Sequence, residues 1–262
     1  MFEAVALLFV AVLGAAIGSF LNVVIYRLPL GLSLLHPPSR CPYCRRSLRP
    51  QDNVPIIGWL KLKGRCHFCQ HRIPARYPII EAFTAALFVL LAVQFGWSAA
   101  TVGGWILFSW LVALSVIDLD TMTLPNALTA SGLAVGVAFQ LAIAPANWPV
   151  TLFWSLFVAI AALWLSDLFR WVGEFVLRQP VLGGGDSKLL ALLGVWLGGP
   201  KLLLALFLAC LSGAIAGGIG RWLGTLKPMQ AMPFGPFLAL GGAIAWIWGA
   251  EWIQLYQQVL LF

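Results

Sequence analysis

Two aspartates stand where an ordinary membrane helix would not place them. Asp118, in VIDLDTMTLPN, closes a run of about eighteen uncharged residues that begins at Ala100, and Asp186, in GGGDSKLL, opens another apolar run. An ionised carboxylate in or near hydrocarbon is costly, so a pair on separate spans marks a functional site by default. If the two face each other, like-charge repulsion keeps one protonated while the other activates water. That arrangement hydrolyses a peptide bond with neither a metal nor a covalent nucleophile. The plainer alternative is two helix-end charges reaching water, with Asp186 capping the helix that follows. Asp120, two residues beyond Asp118, would point elsewhere on a helix and reads as a solvated neighbour. Asp167 and Glu174 read as boundary charges.

Four of the five cysteines form a second constellation, Cys41-Pro-Tyr-Cys44 and Cys66-His-Phe-Cys69. Paired CxxC knuckles at this separation match a zinc site of four thiolates, each knuckle offering two ligands at one turn. The alternatives are disulfides, which a reducing cytoplasm disfavours, an iron–sulfur centre, or four separate thiols. Closed four-thiolate coordination leaves no position for a reactive water, so zinc here would be structural. The hydrophilic stretch 28–78 is too small and polar to bury its own core, and metal binding would supply its folding energy. His67 and His71 read as surface imidazoles, and Cys210 as a packing residue.

These groups must be carried by membrane helices. The chain is 61% hydrophobic and 10% charged, a composition that excludes an ordinary soluble domain. A span takes about 20 apolar residues, which predicts an all-α polytopic membrane protein of about eight transmembrane helices with a small cytoplasmic four-cysteine zinc module. The expected spans are roughly 4–26, 79–95, 100–117, 126–144, 150–168, 187–199, 202–220 and 237–255. Three regions follow: a first span over 1–27, the cysteine module over 28–78, and a seven-span core over 79–262. With the N-terminus outside, fifteen of the sixteen Lys and Arg residues fall on the inner side, including Arg170, Arg178, Lys188, Arg221 and Lys227; Lys201 alone falls outside. Positive loops stay cytoplasmic, so both aspartates and the cysteine module are expected to face the cytoplasm. Trp97, Trp148, Trp252, Trp171 and Trp222 suit interfacial belts. The net charge of +7 is thus topological, and no nucleic acid is expected as a partner. Residues 1–26 lack a basic start and read as an uncleaved span rather than a signal peptide.

The sixth span is short. From Asp186 to Gly199 there are about 13 residues, or about 20 Å of a core about 30 Å thick, so Asp186 is expected below the membrane surface. Gly183-Gly184-Gly185 reads as irregular backbone at that depth, with the helix starting at or just after Asp186. Gly213 and Gly217 form a GxxxG expected to serve helix packing.

The G-x-G-D at Gly183–Asp186, the D-x6-P from Asp118 to Pro125 and the paired CxxC together resemble the bacterial type IV prepilin peptidases, which are GxGD-type intramembrane aspartyl proteases. GSFLNVVIYRLP (18–29), SRCPYC (39–44), NVPIIGWLKLKGRCHFC (53–69), RYPIIE (76–81) and PFGPFLAL (233–240) agree with them in order along nearly the whole chain. The resemblance implies a bifunctional enzyme of the bacterial inner membrane. It would remove the leader from prepilins and pseudopilins of type IV pilus and type II secretion systems, then N-methylate the new terminal residue with S-adenosylmethionine. It implies catalytic roles for Asp118 and Asp186, and it places Gly64 and Glu81 at positions matched to the methyltransferase function and its cofactor. Asn126 departs from the pattern, since many relatives carry Asp after the proline. Nothing in 28–78 reads as a nucleotide-binding βαβ unit, so the methyltransferase expectation rests on the resemblance.

Other functional classes make different demands. A proton- or cation-coupled transporter would use the same carboxylates as ion sites on a broken helix, but no internal repeat is apparent and both carboxylates lie toward one face rather than at the midplane. A zinc-scaffolded assembly factor would need neither carboxylate, and a peptidase without methyltransferase activity would need only the core.

Overall fold

The computed structural model describes residues 2–177, 183–225 and 232–260. Among them are nine α-helices: α1 (Phe2–Arg27), α2 (Ile57–Lys61), α3 (Arg76–Phe95), α4 (Ala99–Thr121), α5 (Asn126–Ile143), α6 (Trp148–Leu177), α7 (Gly184–Leu197), α8 (Gly199–Trp222) and α9 (Gly235–Leu260). Among the described residues, extended pairing is limited to two isolated bridges in the cysteine region. Seven of the helices, all but α2 and α7, are long and apolar enough to cross a membrane. The chain is an all-helical polytopic membrane protein. Arg178 and Lys227, counted above among the inner cations, lie outside the described residues.

The chain forms two compact units, Met1–Ala113 and Leu114–Phe262, so the boundary falls inside α4. In the first unit α1 lies along α3. A Cβ at Gly14 would stand 2.7 Å from the Ala85 Cα, and one at Gly18 would stand 2.7 Å from the Glu81 Cα. These two glycines, four residues apart, let the backbones meet as small residues do at membrane helix interfaces. Val10, Phe88 and Ala92 fill the contact. Trp105 stacks on Phe88 at 5.3 Å between ring centroids and donates its indole N–H to the Phe88 carbonyl.

In the second unit α7 is the inner element. Fourteen residues rise about 21 Å, too short to cross hydrocarbon alone, yet eleven of the fourteen are buried. Contacts come from α5, α6, α8 and α9, as a helix apolar all round requires. Gly136 of α5 makes room for Trp196, whose indole N–H donates to the Gly132 carbonyl at 3.0 Å. Gln140 donates to the Val195 carbonyl at 3.0 Å, near the helix's far end. The predicted GxxxG is not where α8 and α9 come closest. A Cβ at Gly213 or Gly217 would find ordinary contacts at 3.6–3.7 Å with α9 or the residues before it, whereas one at Gly241 would collide with the Ala205 carbonyl oxygen. Spacing alone does not tell which glycine faces a backbone.

Candidate active site and metal centre

Asp118 lies one turn before the end of α4, and its backbone carbonyl accepts the Met122 N–H at 2.8 Å as the helix closes. Met122 has a φ of 50°, a left-handed residue that turns the chain toward Leu124 and Pro125. Asp186 is the third residue of α7. Gly183, extended at φ −72° and ψ 143°, is the N-cap, and Gly184 and Gly185 are already helical. The three glycines are therefore not a broken strand: only the first is irregular. The reason is reciprocal capping, because the Asp186 N–H donates to the Gly183 carbonyl at 3.1 Å while the Asp186 Oδ2 accepts the Gly183 N–H, also at 3.1 Å. An acceptor at this position satisfies an amide that would otherwise lack a partner.

Gly185 is where the start of α7 packs closest to the segment leading out of α4. A Cβ there would stand 3.0 Å from the Leu124 Cβ, so glycine lets the start of α7 lie against the segment leading out of α4. Lys188 donates to the Asn126 side chain, tying the same turn of α7 to the start of α5. Both carboxylates are buried, Asp118 being 5% and Asp186 8% exposed, and Asp186 feels the charge of Asp118. Asp120 is exposed.

One participant is missing from the sequence expectation. The Gly235 N–H, at the first position of α9, donates to Asp118 Oδ2 at 2.9 Å across 117 positions of chain. Each carboxylate is thus held through its Oδ2 by one backbone amide. At a buried carboxylate such a tether fixes orientation. The geometry suits general acid–base hydrolysis, one carboxyl giving a proton as the other takes one from water. The only signal for Gly235 in the sequence is the stretch PFGP, and a backbone donor carries no side-chain signature.

The cysteines converge in the first unit. Each knuckle is a tight turn of the same form: Cys41 and Cys66 accept the N–H groups of Arg45 and Gln70 at 2.9 and 3.0 Å, and both of those residues have φ 57°. Cys41 Sγ lies 3.8 Å from Cys69 Sγ, Cys44 Sγ lies 3.9 Å from Cys66 Sγ, and all four sulfurs fall within 4.8 Å of one another. Tetrahedral zinc with bonds of about 2.3 Å separates its sulfurs by about 3.8 Å, so the residues fit that ion. The Cys66 thiol is brought down to about 7: burial opposes this, but the amides of Cys69 and Phe68 and the neighbouring thiols outweigh it. Cys69 accepts the His71 amide, yet desolvation and the thiols of Cys66, Cys44 and Cys41 push it up to about 11. Four such groups resist joint ionisation, and a dication relieves the repulsion.

Gly64 and Glu81 meet opposite ends of one segment. Glu81, buried on α3, accepts the Ile56 N–H at 2.6 Å, and Ile56 is held at φ 60°, a costly conformation for a β-branched residue. Gly64 has φ 68°, and a Cβ there would stand 2.7 Å from the Trp59 ring, whose N–H donates to the Ile73 carbonyl. Both residues are committed to contacts within the chain.

Residues 12–95 match the bacterial peptidase A24 N-terminal domain, and residues 105–218 match the type IV leader peptidase family. The chain belongs to the type IV leader peptidase family. Among the relatives of this leader-peptidase chain, a prepilin leader peptidase/N-methyltransferase of Burkholderia pseudomallei is 36% identical over 95% of the chain and 87% of the relative. One of the same name from Aeromonas salmonicida is 38% identical over 94% and 91%. The type 4 prepilin-like proteins leader peptide-processing enzyme of Escherichia coli O78:H11 is 37% identical over 87% and 89%. No solved structure matches the chain at a significant level. Both aspartates of this family member lie in the 105–218 match and all four cysteines in the 12–95 match.

Proposed function

We propose that this chain is a prepilin leader peptidase and N-methyltransferase of the bacterial inner membrane, acting on type IV prepilins and pseudopilins. What carries the reading is the pair Asp118 and Asp186, buried together at the ends of α4 and α7 in a member of the leader peptidase family. In hydrolysis the ionised carboxylate takes a proton from water as the oxygen bonds the scissile carbonyl carbon. The protonated partner gives its proton to the departing amine as the C–N bond breaks. The cation distribution supports an orientation with the N-terminus outside and the aspartates and cysteines at the cytoplasmic face. There a substrate with a polar leader and an apolar helix would place its cleavage site. Cys41, Cys44, Cys66 and Cys69 would hold structural zinc, which supplies folding energy and no chemistry. Purified protein in detergent, incubated with a prepilin-like peptide, is expected to release a leaderless product. An uncleaved peptide contradicts the reading.

The methyltransferase half is supported by the names of the relatives and is assigned to residues 28–78, with S-adenosylmethionine as methyl donor. Gly64 within that stretch and Glu81 on α3 act as holders of the 56–64 segment, and no step through the donor is drawn from their geometry. Gly64→Ala and Glu81→Gln are expected to depress methylation of a pre-cleaved pilin peptide several-fold more than cleavage of the full-length substrate. Asp186→Asn is expected to methylate that peptide normally. The measurement is transfer of label from S-adenosylmethionine. Loss of transfer in Asp186→Asn would show that the two sites are not independent, and no transfer by the unmodified protein would leave a peptidase alone.

A further inference from the structure

We propose that Gly235 is a positioning residue of the peptidase reaction: its backbone N–H fixes the Asp118 carboxylate, and its lack of a side chain is what admits that carboxylate to the start of α9. The inference rests on the peptidase reading above and adds a residue beyond both matched stretches, 12–95 and 105–218.

The Gly235 N–H reaches Asp118 Oδ2 at 2.9 Å, and the bond is buried. It is the one amide that the first turn of α9 can direct there. Pro236 has no N–H, and the amides of Phe237 and Leu238 both donate to the Phe234 carbonyl at 3.1 Å. A side chain at this position would meet the carboxylate, since a Cβ on Gly235 would stand 2.7 Å from Asp118 Oδ2 and 3.1 Å from its Cγ. Contacts under 3.0 Å force a shift, and here what must shift is the carboxylate itself. Asp186 is held differently: its amide partner, Gly183, lies three residues away and belongs to the same helix start. Asp118 instead depends on a distant element. The orientation of its carboxylate is set by where α9 begins, and misplacement of a reacting group by about 1 Å can cost about 100-fold in rate.

The test is a cycle of variants read by kinetics and by thermal unfolding in detergent. Gly235→Ala is expected to lower kcat for prepilin cleavage at least about tenfold with KM within about twofold, because the variant moves a reacting group and not the substrate's binding surface. Gly218→Ala, where an added Cβ meets nothing within 4 Å, is expected to leave both unchanged. Gly235→Ala should lower the unfolding midpoint of the unmodified protein. In an Asp118→Ala background, where no carboxylate oxygen remains to collide with, it should not. Gly235→Ala cleaving at the unmodified rate overturns the proposal, as does a fall in midpoint equal in both backgrounds. If Gly235→Ala fails to fold, recovery of the fold in Asp118→Ala/Gly235→Ala supports the tether and failure of that double variant overturns it. Absence of cleavage by the unmodified protein removes the peptidase reading, while the unfolding cycle still reports whether Gly235 and Asp118 are coupled.

Discussion

Asp118→Asn and Asp186→Asn are each expected to abolish prepilin cleavage, with a loss of at least about 1,000-fold, while membrane insertion and the unfolding midpoint stay near those of the unmodified protein. The expected loss is chemical. A general acid or base contributes about 100- to 10,000-fold, and an amide at either position can neither take nor give the proton that the reaction moves. The fold is expected to persist, because an asparagine oxygen can still accept the Gly235 N–H at position 118 or the Gly183 N–H at position 186. The substitution therefore removes charge and leaves the tethers. Asp120→Asn is expected to retain most activity, since that side chain is exposed two residues past the buried one. The measurement is kcat for release of the leader from a purified substrate. Loss of activity in Asp120→Asn with retention in Asp118→Asn would falsify the choice of aspartate.

Removal of metal is the second large effect. The protein is expected to bind about one equivalent of zinc through Cys41, Cys44, Cys66 and Cys69, and chelation or any single Cys→Ser change is expected to open residues 28–78 to protease. The magnitude follows from how little else holds this stretch. Its regular elements between α1 and α3 are one five-residue helix, a 3-10 turn and two isolated bridges, whereas structural zinc sites contribute about 10–16 kcal/mol of apparent binding energy at neutral pH. The contact of α1 with α3 depends on Gly14 and Gly18 instead, so cleavage should be confined to the module. Metal analysis finding no zinc, or finding iron with visible absorbance, sinks the assignment.

Much of this was readable along the chain. The aspartates are conspicuous because charge is rare in apolar runs, and the cysteine pairs because two ligands at one turn leave a fixed spacing. Seven of the eight expected spans are helices long and apolar enough to cross a membrane, and the eighth, the expected 187–199 span, is the fourteen-residue α7. Two readings needed refinement for a common reason, which is that spacing names a residue type without saying what it faces. Gly213 and Gly217 have the right separation but meet side chains at ordinary distances, while Gly14 and Gly18, equally spaced, meet the backbone of α3. Gly184 and Gly185 look like breakers, yet they begin α7 because Asp186 caps Gly183.

The sequence by itself determined which atoms are available for chemistry: two carboxylates at the ends of apolar runs and four thiols in two knuckles, together with the helices that carry them. Those are properties of side chains and of local hydrophobic length, and both are written residue by residue. Only the tertiary structure decided how the carboxylates are aimed. Gly185 lets α7 approach Leu124, and the start of α9 brings a backbone amide to Asp118 from 117 positions away. A peptide N–H is the same in almost every residue, so its partner is chosen by the distance between helices and leaves no mark in composition or period.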